Sequence, residues 1–136
     1  MRMIIKVSSV FVLLIMAVSC ATTPRAIPEK YNLDNELESV DKIFTIREQR
    51  WQEVDDQSII IRTDRRTYYL LVLRRPMDKR YSIPRFRLLN TSYVTPGFDR
   101  IHVRDNTGTQ YYDIDKIYRL KGREQAEEIK ERLSES

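Results

Sequence analysis

The sequence predicts an α+β, mainly β domain: a small antiparallel sheet or partly open barrel of about six strands, with a short N-terminal helix and a C-terminal helix. Three observations predict it. From Ile46 to Tyr118 the chain is a series of short β-branched and aromatic runs broken by turn signals. That region is flanked by two apolar stripes at helical spacing, Leu33/Leu37/Val40/Phe44 and Ala126/Ile129/Leu133. The first 19 residues hold 14 apolar side chains and stand apart, and the remainder has apolar content for one small core.

Arg2 and Lys6 open the chain, and Val10 to Val18 is an unbroken apolar run ending in small residues. A basic start, a short apolar middle and a small-residue exit describe a secretory signal over 1–19, too short for a spanning helix of about 20 apolar residues. The exit, Ala17-Val18-Ser19-Cys20, resembles the lipobox of bacterial lipoproteins, with Ala17 where Leu is commoner. The resemblance implies cleavage between Ser19 and Cys20. It also implies a diacylglyceryl group on the Cys20 thiol and a fatty acyl chain such as palmitate on the new amine. Each buried CH₂ contributes about 0.8 kcal/mol, so two or more chains anchor firmly. Ala21 in place of Asp implies the outer membrane, on its periplasmic side. Residues 20–32, with Pro24 and Pro28, read as a flexible tether.

The β-rich domain is expected over 33–121. Leu33, Leu37, Val40 and Phe44 with an Asn35/Glu38 capping box predict a helix near 35–42 that covers a sheet. Trp51 to Val54 and Ser58 to Arg62 read as strands around an Asp55-Asp56-Gln57 turn. Thr67 to Leu73 is apolar on both faces and therefore central. A loop carrying Pro76 and Pro84 leads to Arg85–Leu89, where Arg85/Arg87 alternate with Phe86/Leu88. After a Thr95-Pro96-Gly97 turn, Asp99 to Arg104 alternates again, with Ile101 and Val103 inward. Asp105 to Gly108 is a hairpin turn, and Gln110 to Ile114 pairs back. Residues 122–136, opening on Gly122, predict a lightly packed C-terminal helix with i,i+4 pairs Arg123–Glu127 and Glu128–Arg132.

Of the net charge of +4, Arg2 and Lys6 supply +2, and the rest is unevenly spread: −4 over 20–61, +8 over 62–104 and −2 over 105–136. In the middle block Arg65, Arg66, Arg74, Arg75, Arg85, Arg87, Arg100 and Arg104 alternate with aromatics. In a cytosolic protein this pattern suggests nucleic acid. An anchored envelope protein meets anionic lipid, lipopolysaccharide phosphate or acidic glycan instead, and no nucleic acid is expected. Arginine suits phosphate because its planar fork bonds bidentately. The same arginines also fit the solvated faces of strands, where charge discourages edge-to-edge pairing.

The order of elements resembles DUF6491, a family of small lipoproteins of unknown function. The residues that carry the resemblance are Phe44, Trp51, Ile59 to Ile61, Tyr69-Leu70-x-x-Leu73, Asp99-x-Ile101-x-Val103 and Ile114-x-x-Ile117. Where the family tends to have two cysteines this chain has Met77 and Tyr112, which implies a bridge replaced by packing.

No catalytic constellation is visible. One Cys excludes an internal disulfide, and one His with it leaves no ligand set for a His/Cys zinc site. His102 has no orienting partner in the sequence and reads as an exposed strand histidine. Asp55/Asp56 read as a turn, and Asp113/Asp115 as solvated carboxylates. The serines have no nucleophile-elbow context, and three scattered glycines build no phosphate loop. The expectation is a non-enzymatic, lipid-anchored binding or structural module without cofactor or metal. Its partners would be membrane lipid through acylated Cys20 and an anionic ligand or an envelope protein. An accessory subunit of an envelope complex, bound by an edge strand or the C-terminal helix, is the alternative. A hydrolase of envelope polymers would need a cleft of polar groups that the sequence does not assemble.

Overall fold

The computed structural model describes residues 26–44, 50–78, 85–88, 92–105 and 108–136. Ser19 and Cys20 lie outside them. A 3-10 turn at Glu29–Tyr31 is followed by β1 (Glu38–Ser39), β2 (Ile43–Phe44), β3 (Arg50–Glu53), β4 (Ser58–Arg62) and β5 (Tyr68–Leu73). Then come β6 (Arg85–Leu88), β7 (Tyr93–Val94), β8 (Arg100–Asp105), β9 (Gly108–Leu120) and a helix, α1 (Arg123–Ser134). Seven of these strands form one open antiparallel sheet in the order β3-β4-β5-β9-β8-β6, with β1 on β9; β2 and β7 pair separately. The mainly β, antiparallel expectation holds. The strand number is larger than six because β1, β2 and β7 are two-residue pairings, too short to show in a sequence pattern.

Strand β5 is central, as its two-sided apolar run predicts. Leu70 and Val72 point into one cluster with Ile60, Tyr118, Leu120 and the α1 residues Ala126, Ile129 and Leu133. Leu71 and Leu73 point into the other with Ile59, Ile61, Ile117, Ile101, Val103 and Ile114. Each such side chain contributes about 1.5–3 kcal/mol by leaving water, so the two-faced burial of one strand is the main source of cohesion.

The pairing of β5 with β9 contains a bulge. Val72 faces Lys116, but Leu73 faces Ile114, so Asp115 is an extra residue. A bulge shifts the period-2 alternation. Ile117 and, beyond the bulge, Ile114 and Tyr112 therefore share one cluster, while Tyr118 and Leu120 fall in the other. This shift explains why the sequence suggests a strand ending at Ile114 where β9 runs on to Leu120. Past the end of β5, the first half of β9 pairs with β8, and β8 with β6, as a three-stranded ribbon.

The helix expected near 35–42 does not form. Leu33 and Leu37 are buried as the stripe requires, but the chain turns once between them, with Leu37 N–H donating to the Leu33 carbonyl at 2.8 Å. It then joins the edge of β9, with Glu38 opposite Arg119 and Ser39 opposite Tyr118. The Val40 amide donates to the Ile117 carbonyl at 2.9 Å. Tertiary pairing has overridden a weak local propensity, as it does for helices this short. Phe44 leaves the stripe and is 64% exposed.

The packed domain starts before residue 33. Ile27 packs against the helix-side core, and Tyr31 is buried in it. Tyr118 fixes this strap: its hydroxyl accepts from the Leu33 amide at 3.2 Å and lies 3.1 Å from the Tyr31 carbonyl and 3.0 Å from Asp34. Helix α1 is firmly packed, with Ala126, Ile129 and Leu133 all buried. Its start is held by Gln125, whose Oε1 accepts from the Lys121 amide at 2.7 Å. Arg132 pairs with Glu36 of the strap at 2.7 Å rather than with Glu128, and no ion pair joins Arg123 to Glu127 among the described residues. The helix is thus tied to the strap and not along its own surface.

Candidate functional site

The strap and the C-terminus of α1 meet at one end of the helix-covered half of the sheet. Lys30 Nζ lies 3.3 Å from the carbonyls of Leu133 and Ser136 and 2.9 Å from Asp55 in the β3–β4 turn. A cation there complements the negative end of the helix. Asp55 also accepts from the Tyr31 hydroxyl at 2.7 Å, the Gln57 amide at 2.9 Å and the Ser58 hydroxyl at 2.7 Å. Burial alone would raise the Asp55 carboxyl, but these donors together with Lys30 hold it below the usual carboxylate range. The Tyr31 hydroxyl is pushed far above its ordinary value, first by burial and then by Asp55. Asp55 is therefore a half-buried structural anchor and not the solvated turn residue that the sequence suggests.

The expected basic surface separates into two groups. Arg65 and Arg66 are exposed in the β4–β5 turn, at the end of β5 away from Lys30. That turn is shaped by Asp64, which accepts from the Arg66 amide at 2.8 Å and from the Thr67 amide and hydroxyl. The same bonds, led by the Arg66 amide, lower the Asp64 carboxyl. Arg74, Arg75, Arg100 and Arg104 belong instead to the end of β5 near the strap and to the ribbon. Arg74 is 3.5 Å from Asp115, and Arg100 is 2.7 Å from Asp113. Arg75 donates to the Tyr111 carbonyl at 2.9 Å and lies over the Tyr112 ring at 4.4 Å. Arg104 is exposed. The register sets Arg85 opposite Arg104 and Arg87 opposite His102. The ribbon surface is basic, and two of its arginines are already matched by Asp113 and Asp115, which the bulge gives to separate partners.

His102 is half-buried and not exposed, because Tyr111 from β9 covers it edge-on with ring centroids 4.5 Å apart. Its Nε2 is buried with no hydrogen-bond partner among the described residues. No carboxylate or nucleophile is arranged on it there. Among the described residues no three His, Cys, Asp or Glu come together in a ligand set, and no helix is long and apolar enough to cross a membrane.

A third feature has no counterpart in the sequence reading. At the open end of the β3–β4 hairpin a cavity of about 380 Å³ is lined by Arg50, Arg62 and Arg123 with Trp51, Tyr68 and Glu127 among its other walls. Antiparallel register sets Arg50 directly opposite Arg62, and Arg62 opposite Tyr68. Arg123 and Glu127 come from the first turns of α1. These residues lie in three separate stretches, so no local motif announces them.

The family model of DUF6491, a family of unknown function, matches residues 2–136. The chain belongs to this family. Comparison with curated proteins and with solved structures gives no match. In the DUF6491 fold seen here, the residues that carry the family pattern are mostly core. Ile59, Ile61, Leu70, Leu73, Ile101, Ile114 and Ile117 are all buried. Asp99 shapes a turn by accepting from the Thr95 amide at 2.7 Å. Met77 and Tyr112, at the positions the resemblance gives to cysteine, lie in the same cluster, and the Tyr112 hydroxyl accepts from the amide of Asp78. The family pattern therefore encodes a sheet and its packing.

Proposed function

We propose that this DUF6491 protein is a lipid-anchored, non-catalytic module of the cell envelope that rests on the membrane through its basic ribbon. The observation that carries the reading is the short spacing between the lipobox cysteine and the packed domain. Cys20 is seven residues before Ile27, the first of the described residues to pack on the core. At 3.3–3.6 Å per residue that link spans at most about 25 Å. A domain held so closely meets the bilayer with the end where the strap joins, near Asp55, Leu73 and the ribbon that extends past β5. That end carries Arg74, Arg75, Arg100 and Arg104, and the turn before β8 presents Phe98, 86% exposed. Cations with an exposed aromatic suit the interface of an anionic membrane, such as phospholipid or lipopolysaccharide. The apolar stripe of α1 is occupied by the core, which disfavours that helix as a docking element for an envelope partner.

Fractionation of cells that make the wild type and Cys20→Ala tests the reading. The wild type is expected in the membrane fraction and resistant to salt extraction. The variant is expected to be released by salt, since only the screened basic contacts remain. Equal distribution of the two proteins would refute the lipid anchor.

A further inference from the structure

We propose that the cavity between the open end of the β3–β4 hairpin and the first turns of α1 binds a small soluble dianion, a phosphate monoester carried on a compact organic body. Its volume of about 380 Å³ falls in the range of about 300–1,000 Å³ typical of small-molecule sites. Three guanidinium groups from three elements line it: Arg50 of β3, Arg62 of β4 and Arg123 of α1. Arg50 and Arg62 are direct cross-strand partners, and like charges in that position destabilise a sheet. No ion pair joins any of the three to a carboxylate among the described residues. Three arginines that cost the fold stability, with only Glu127 in the cavity and Asp64 of the next turn near them as counter-charge, favour an anion there.

The charge count narrows the ligand. Glu127 also lines the cavity, so three arginines less one carboxylate leave a surplus of two positive charges. A phosphate monoester carries about −1.5 to −2 at neutral pH, which fits that surplus better than a single carboxylate does. Arginine forks hold its oxygens bidentately. Gly122 caps α1 with no side-chain hydrogen bond to the helix start, which leaves the positive end of the helix dipole to reinforce the site. Tyr68 and Ile60 add an apolar wall for the organic part.

The position favours a soluble source of the phosphate over a headgroup of the anchoring bilayer. Arg123 starts α1, whereas Lys30, at the strap, touches the carbonyls of Leu133 and Ser136 at its other end. The cavity and the chain's entry into the domain are thus separated by the length of a 12-residue helix, about 18 Å. The site does not depend on lipidation, so its failure and the failure of the anchor reading are separate results.

Full-length protein in neutral detergent, at low salt, is titrated with glucose 1-phosphate while the heat of binding is followed by calorimetry. Glucose is the uncharged control, and vesicles containing phosphatidic acid form a second arm. A saturable change with glucose 1-phosphate is expected, and glucose should produce none. Binding should weaken at least tenfold in Arg50→Gln and Arg123→Gln and stay unchanged in Arg75→Gln. Arg50→Gln should keep or raise the thermal midpoint, because it relieves a like-charge pair, so its lost binding is not lost folding. A response only to phosphatidic acid vesicles would overturn the soluble source. No response to either probe, an equal response to glucose, or an equal loss in Arg75→Gln would overturn the site.

Discussion

The two halves of the sheet solve different problems. On the helix-covered half, β3, β4, β5 and the end of β9 bury both faces, one against the second core cluster and the other against α1 and the strap. Polar groups at its turn are engaged: half-buried Asp55 holds four donors, and buried Gln57 donates to the Leu73 carbonyl at 2.9 Å. On the ribbon, Ile101 and Val103 face the core, while Arg100, His102, Arg104 and Tyr111 occupy a face that neither α1 nor the strap covers. Cohesion is concentrated in one half, and the other is left with a surface. A sheet buried on both faces tolerates little change, whereas a sheet with one wet face is free to vary and to bind.

The largest effect that sharpens this contrast is expected in the two-faced core. Leu70→Ala removes a fully buried side chain between β4, β9 and the strap, and should lower unfolding free energy in urea by about 2–5 kcal/mol. Tyr111→Ala, on the half-exposed ribbon face, should cost less than about 1 kcal/mol. Similar losses would erase the distinction between the halves.

Next in size is Asp55→Asn. It removes the charge that Lys30 and Tyr31 address in a mostly buried site, and should cost about 3 kcal/mol at neutral pH. The folded-state carboxyl is lowered, so the unfolded chain binds the proton more readily. Its contribution is therefore present above the unfolded value of about 3.9 and is lost as pH falls through the lower, folded value. The wild type should weaken toward the variant over that acid range, and the stability difference between them should shrink. A difference that stayed constant down to pH 2 would show that Asp55 does not carry it.

Lys30→Met tests the strap with a smaller expected loss, about 1 kcal/mol. It should also raise hydrogen exchange in the last turn of α1 more than in its first turn. Arg132→Ala breaks an exposed pair with Glu36 and should change stability by less than about 1 kcal/mol, less still in high salt.

The sequence made the central strands and α1 legible because their signals are local. Ile59-Ile60-Ile61 and Tyr69 to Leu73 are β-branched and apolar in unbroken runs, and Ala126, Ile129 and Leu133 keep helical spacing up to the end of the chain. It misled where a distant partner decides the structure. Leu33 and Leu37 are a true buried stripe, but β9 claims the backbone of Glu38 and Ser39. Asp115 hides the continuity of β9 because a single bulged residue flips the alternation. Asp55 looks like a turn residue because its four partners come from Lys30, Tyr31, Gln57 and Ser58, on both sides of a gap in sequence. The Arg50, Arg62 and Arg123 cavity was hidden for the same reason. Charge counting found the dense arginine block of 62–104, yet the cavity joins one member of that block to one arginine before it and one after.

The lipid anchor is tested most directly by the intact mass of the full-length gene product isolated from membranes. The account predicts a chain that begins at Cys20, without residues 1–19, and is heavier than its amino acids by a diacylglyceryl group and an amide-linked acyl chain. A chain that retains Met1 to Ser19, or begins at Cys20 with no added lipid mass, would contradict it.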